Sequence, residues 1–205
     1  MAVSLDEAVE LTRTGDVWLF RGTTAADRTI RLTTNSPVNH VGMAVVIEDL
    51  PPLMWHAELG RTLRDLWTGG HHRGVQLHDL RDAVVQWTGR YKQRAWLRQL
   101  EPGADRAMED AVLRTVARLD GTPFPSTARL FTRWLYGRAP IPRTPTSDAA
   151  LETAYCAEVV AVTYQAMGLL PARRRPNWYD PGRFWSGDEL HLRDGATLGT
   201  EITVA

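Results

Sequence analysis

The positions of apolar side chains along the chain predict a mixture of strands and helices. Short runs rich in valine, isoleucine, leucine and aromatic residues, typical of buried strands, occur at 17–22, 36–48, 53–58, 91–100, 190–192 and 201–204. The second and third runs are separated by residues 49–52, a turn short enough to pair them as a hairpin. We therefore expect a small, mostly antiparallel sheet, closed towards a barrel-like shape.

Helical spacing is clearest in two later segments. In 104–119 the apolar residues recur every three or four positions and Gly121 follows as a stop signal. Segment 154–168 is the second, with Gly168 at its C-terminal end. Shorter helical predictions cover 4–13, 79–87 and 128–137, while 60–74 and 138–147 have loop composition. The sum is an α+β fold with segregated helices, in one domain spanning 1–205.

Composition narrows the class of protein without naming a function. The chain has 205 residues, with 24 basic and 24 acidic side chains, so binding to nucleic acid through bulk charge is not expected. No run approaches the ~18 apolar residues of a membrane span, and the N-terminus lacks the pattern of a secretory signal. We expect a cytoplasmic protein without a transmembrane segment; its oligomeric state is not indicated.

Cys156 is the single cysteine, which excludes an intramolecular disulfide and a multi-cysteine metal cluster. It lies near the predicted start of the last helix. If Thr153 is the N-cap, Cys156 occupies the first turn, where the helix dipole and free N–H groups stabilise a thiolate and an oxyanion. A cap at Ser147 or Asp148 would place the cysteine deeper in the helix. Cys156 is thus a candidate nucleophile.

A thiolate nucleophile needs a histidine base and a group that orients it. His40 begins the second strand, with Gly42 on the same face, and this small residue is expected to leave room for a substrate. His56 and Glu58 share a face of the next strand. If the two strands pair as a hairpin, either side chain can neighbour His40.

A zinc site is the rival chemistry. Its ligands would come from His56, His71, His72, His78 and Cys156, although their spacing fits no compact motif.

A basic run follows the last helix at 173–175. The preferred interpretation is a solvated corner, and contact with a phosphate or headgroup is the minor one.

Five short motifs occur in a characteristic order. They are GDVWLF (15–20), SPVNHVGMAVV (36–46), MWHAE (54–58), LDGTPF (119–124) and YCAEVVAVTYQAMG (155–168). This set resembles the permuted branch of the NlpC-type papain-like superfamily, which includes YiiX/YaeF-like amidases and lecithin:retinol acyltransferase-like enzymes. The resemblance implies a circularly permuted papain-like fold in which the nucleophile helix comes last.

The resemblance also implies roles for individual residues. Cys156 would be the nucleophile and His40 the general base, while His56 occupies the position of the orienting residue. YiiX-like proteins have a glutamate followed by alanine there; here the run is His56-Ala57-Glu58, so Glu58 is the competing orienter. Glu158 matches an acidic residue of the family's helix that we interpret as structural.

The expected function is therefore a cysteine-dependent hydrolase or acyltransferase, acting on an amide, ester or thioester of a small-molecule, peptide or lipid substrate through an acyl-enzyme. This chemistry needs no cofactor and no metal. The alternatives are an inactive binding module of the same fold and a zinc-dependent hydrolase. We also expect loop 138–147 to border the cleft together with Phe131 and Trp134.

Overall fold

A computed structural model describes residues 2–22, 36–123, 148–188 and 190–205. The predicted helix at 128–137 and the predicted cleft border, including Phe131 and Trp134, lie outside these residues. Within the described part, no helix is both long and apolar enough to cross a membrane.

A seven-stranded sheet forms the centre of the fold, with strand order β1-β9-β6-β2-β3-β4-β5. All neighbouring pairs are antiparallel except β1 and β9. A separate pair joins β7 to β8. The strands are β1 (Ala2–Val3), β2 (Val17–Arg21), β3 (His40–Val45), β4 (Leu53–Glu58), β5 (Gly74–Asp79), β6 (Arg94–Arg98), β7 (Leu100–Glu101), β8 (Thr197–Leu198) and β9 (Ile202–Val204).

Within the residues that the structure describes, four α-helices accompany the sheet. They are α1 (Leu5–Leu11), α2 (Leu80–Val85), α3 (Arg106–Leu119) and α4 (Asp148–Ala166), and a π-helical turn, Gln86–Arg90, continues α2. Three 3-10 turns follow α4, at Pro176–Trp178, Pro181–Phe184 and Ser186–Asp188. The expected mixed α+β class with a mostly antiparallel sheet is confirmed. The barrel-like closure, the circular permutation and the papain-like character stay predictions.

Successive side chains of each strand point to opposite faces of the sheet. A core cluster covers each of the two faces, so the sheet is buried on both. On β3, Val41 and Met43 belong to one core cluster and Ala44 to the other. We call these sides the α4 face and the α2 face. Helix α4 packs on the first, where the Trp55 indole N–H donates to Thr163 Oγ1 at 3.1 Å.

Asp16 anchors the turn between α1 and β2. Its buried carboxylate accepts the backbone N–H of Leu100 at 2.8 Å and that of Arg13 at 2.8 Å. The preceding Gly15 has φ +91°, and a Cβ there would approach Leu100 Cδ2 to 2.8 Å, so the turn requires glycine. The Gly-Asp pair therefore joins β2 to β7.

Three sequence-based assignments of secondary structure were wrong. The last helix was predicted over 154–168, but α4 already includes Asp148; residues 148–150 contain two alanines, the strongest helix former. Residues 190–192 form no strand, and β8 lies at Thr197–Leu198 instead. Strand β5 was missed, because its glycine start had been assigned to the loop at 60–74.

Candidate functional site

Three histidines and a glutamate meet on the α2 face of strands β3, β4 and β5. His40, His56 and His78 are each 1% exposed and Glu58 is 2% exposed. Alternation along β4 places His56 and Glu58 on one side, and the register pairs Met54 of the same side with His78. Three adjacent strands thus converge on one polar cluster inside an apolar layer.

Gly42 makes space for this cluster, not for a substrate. A Cβ at Gly42 would collide with the Met54 sulfur and approach His56 Cβ to 3.3 Å. The sequence-based expectation of an open substrate position beside Gly42 is therefore wrong. The absent side chain lets Met54 and His56 of β4 pack closely against β3 at Gly42.

The three rings form a continuous hydrogen-bonded chain. His40 Nε2 lies 2.9 Å from His56 Nδ1, and His56 Nε2 lies 3.0 Å from His78 Nδ1. His78 Nε2 then contacts Gln76 Oε1 at 3.2 Å. Gln76 Oε1 is assigned as an acceptor, so His78 Nε2 carries the proton that it donates to this oxygen. His78 Nδ1 then accepts from His56 Nε2–H, and His56 Nδ1 accepts from His40 Nε2–H. The chain then donates in one direction, from His40 to Gln76.

His40 Nδ1 is the free acceptor at the start of that chain. It is buried and has no hydrogen-bond partner among the residues the structure describes. The ring is stacked on Trp87, with centroids 3.8 Å apart and an interplanar angle of 24°. Burial lowers the pKa of His40 to about 3, so the ring is neutral at physiological pH.

Burial shapes the protonation of the rest of the cluster. It is the main cause that lowers the pKa of His56, with His78 and His40 adding to it. Burial also lowers the pKa of His78 to about 4. In contrast, burial raises the pKa of Glu58 to about 7, opposed by the Tyr91 hydroxyl, which donates to Glu58 Oε1 at 3.1 Å. Neutral imidazoles therefore surround a carboxyl that is costly to ionise.

Three atoms of this cluster have the separations of a metal-ligand set. Glu58 Oε2 lies 3.9 Å from His56 Nε2 and 3.8 Å from His78 Nδ1, and the two nitrogens are 3.0 Å apart. In the plane of three atoms so spaced, the equidistant point lies about 2.1 Å from each, within the ~2.0–2.2 Å range of zinc bonds to nitrogen and oxygen. Among the described residues, this is the group of three or more histidine, cysteine or acidic side chains that fits a metal ion.

Cys156 does not join this group. It is fully buried in the core cluster of the α4 face, with Val41, Met43 and Trp55, whereas His40 stacks on Trp87 of the α2 face. Because α4 includes Asp148, Cys156 lies more than two turns inside the helix. Of the two helix starts left open by the sequence, the structure has the earlier one, so Cys156 lies deeper in the helix and not in its first turn.

The histidines at 71 and 72 do not belong to the group of three ligand atoms. His71 is exposed and its Nδ1 is 3.2 Å from the Arg61 carbonyl oxygen. His72 is half-buried with Nε2 3.3 Å from the Val75 carbonyl oxygen. Of the five ligand candidates named from sequence, the structure brings together His56 and His78, and it adds Glu58.

Sequence reasoning overlooked the importance of His78 and Gln76. Both lie on β5, in the run Val75-Gln76-Leu77-His78, which alternates apolar and polar residues. That alternation is the signal of a strand with two polar side chains on one face. The glycine and histidine content of the preceding loop concealed it.

Comparison with known proteins gives a distant structural likeness. No family model matches the chain, and no curated protein sequence matches it. A crystal structure of the metalloprotein yiiX from Escherichia coli O157:H7 is similar at a TM-score of 0.48 and 22% sequence identity. The match covers 75% of this chain and 65% of that one, so this chain spans about two thirds of that protein's length.

Proposed function

We propose that this protein is a zinc-dependent hydrolase whose metal is held by His56, Glu58 and His78. The observation that carries the proposal is the triangle of three ligand atoms whose common centre lies about 2.1 Å from each. Two histidines and a glutamate are a known donor set of catalytic zinc, which keeps one coordination position open. Structural zinc sites instead have four protein ligands.

The surrounding side chains suit a metal site. Gln76 accepts from His78 Nε2–H and thereby leaves His78 Nδ1 as the ligand atom. Tyr91 donates to one oxygen of Glu58 and leaves the other for the ion. Each ligand thus has a second partner that fixes its orientation, as metal-binding side chains usually do.

His40 is the positioning residue for His56. With His56 Nε2 as a ligand, the His56 proton resides on Nδ1 and is donated to His40 Nε2, so the His40 proton moves to Nδ1. Zinc binding at His56 Nε2 would therefore reverse the direction of the hydrogen bond between His40 and His56, while each ring keeps one proton. The zinc ion would supply a water of lowered pKa and a Lewis acid for the substrate carbonyl.

The substrate class is an ester or amide of small size. The three ligands are at most 2% exposed, so any substrate reaches them only when the surrounding structure opens, and a small substrate needs the smallest opening. Small activated esters are the appropriate first substrates.

Activity measured before and after metal removal tests this function. Hydrolysis of 4-nitrophenyl acetate should fall to background after dialysis against a chelator and return when zinc is added. His78→Ala should stay inactive in zinc, whereas Cys156→Ala should keep its activity. Activity that survives chelation but disappears in Cys156→Ala would refute the zinc mechanism.

A cysteine hydrolase remains the second candidate, and one observation favours it. His40 Nδ1 is buried and has no partner in the described part of the chain, while Nε2 contacts His56; a base histidine and its orienter require this arrangement. Burial of Cys156 on the α4 face is the obstacle to this mechanism. Absence of hydrolysis in every variant and condition would favour the binding module instead.

A further inference from the structure

A second site lies beyond the C-terminal end of α4, in the segment that contains the basic run. A cavity of about 250 Å³ is lined there by Trp178, Tyr179 and three arginines, Arg173, Arg174 and Arg183. None of its lining residues belongs to the histidine cluster. Its position and its chemistry are therefore independent of the proposed metal site.

The backbone around the cavity is firmly attached to the core. Gln165, on the last turn of α4, donates to the carbonyl oxygen of Pro171 at 3.0 Å and to that of Arg174 at 2.6 Å. Tyr179 is 3% exposed and packs in the main core cluster. The arginines thus extend from a fixed frame.

Two guanidinium groups contact the same indole. The carbon Cζ of Arg174 lies 4.0 Å from the Trp178 ring centroid, and that of Arg183 lies 4.4 Å from it. Each contact is a favourable cation–π interaction that holds a positive charge beside the cavity. An anion bound in the cavity would be attracted by both charges.

The charges of the described lining residues do not balance. Asp188 is the acid that lines the cavity, and its Oδ2 lies 3.4 Å from Arg183 Nε. That distance makes an ion pair, but the geometry gives no hydrogen bond, so the buried Arg183 Nε–H has no acceptor among the described residues. Among the described lining residues three arginines accompany one aspartate, a basic lining that suits an anion such as a phosphate monoester.

We propose that this cavity binds a small phosphate monoester with a flat apolar group. The guanidinium groups of the arginine side chains donate to the phosphate oxygens. Trp178 and Tyr179 contact the apolar part. The cavity volume is near the lower end for small-molecule sites, which limits the ligand to about the size of one substituted ring.

Calorimetric titration with phenyl phosphate tests the proposal. Chelator is present throughout, so that no ligand binds through zinc. We expect saturable binding at one site, weakened about tenfold or more in Arg174→Gln and in Arg183→Gln. Arg114→Gln, which removes an exposed arginine of α3, is the matched control and should bind normally.

Three further arms make the result decisive. Inorganic phosphate should bind more weakly than phenyl phosphate, because it lacks the ring, and benzoate more weakly, because it carries one charge. His78→Ala should bind phenyl phosphate normally, which separates this site from the proposed function. No saturation at millimolar phenyl phosphate, equal binding in the arginine variants, or preference for benzoate would overturn the proposal.

Discussion

Replacement of Glu58 by glutamine should change the pH dependence of stability in the metal-free protein. Glutamine keeps the size of the side chain and an oxygen that accepts the Tyr91 hydroxyl, but it has no ionisable proton. Burial raises the pKa of Glu58 to about 7 in the folded protein, from 4.5 in the absence of burial. The folded state therefore binds the Glu58 proton more tightly than the unfolded chain does.

The sign and size of the effect follow from linkage. The stabilising contribution of protonated Glu58 is fully present below pH 4.5 and is lost as the pH rises through 7. A pKa difference of about 2.5 units corresponds to a loss of about 3 kcal/mol, most of it between pH 5 and pH 8. Burial also raises the pKa of Asp16 to about 6 and that of Asp120 to about 7. These two carboxyls therefore make the free energy of unfolding fall with pH in wild type and in Glu58→Gln alike. The difference between wild type and Glu58→Gln isolates the Glu58 contribution.

Urea unfolding with chelator at pH 5, 6, 7 and 8 measures this difference. The free energy of unfolding of wild type should fall with pH more steeply than that of Glu58→Gln. With zinc present the wild-type trend should reverse, because the ion binds the ionised carboxylate. Identical slopes for the two metal-free proteins would refute the reasoning about the buried carboxyl.

Three other substitutions have defined outcomes. His40→Phe keeps a ring on Trp87 but removes the bond to His56, and it should lower zinc affinity about 10–100-fold in a chelator competition, with some loss of melting temperature because the buried His56 Nδ1 loses its partner; unchanged affinity would exclude a positioning role. Cys156→Ser places a hydroxyl in an apolar cluster and should cost about 1–3 kcal/mol in urea unfolding while zinc stoichiometry stays the same; loss of zinc would contradict the assignment of ligands. Asp16→Ala leaves two backbone N–H groups without acceptors and should destabilise the fold by about 2–5 kcal/mol, and a cost near zero would contradict this role.

The local pattern was sufficient to predict the strand pair at the centre of the site. Period-two alternation placed His56 and Glu58 on one face, and the short turn before β4 predicted the hairpin with β3. The structure places His56 within hydrogen-bond distance of His40, as that hairpin allows. The catalytic roles derived from the family resemblance stay predictions.

Long-range packing could not be predicted in the same way. His78 lies in the site because β5 pairs with β4 in a particular register. The sequence of neither strand indicates that register. The burial of Cys156 depends on the start of α4 and on the face of the sheet that α4 covers. A helix start can be inferred from capping residues, but the docked face depends on contacts with distant strands.

Anomalous diffraction at the zinc edge, from crystals of protein grown with zinc, tests the central claim most directly. A single strong peak is expected between β4 and β5, about 2.1 Å from His56 Nε2, Glu58 Oε2 and His78 Nδ1. Crystals of His78→Ala grown in the same way should lack this peak. A wild-type map without this peak, or with its main peak beside His71, His72 or Cys156, would contradict the proposed metal centre.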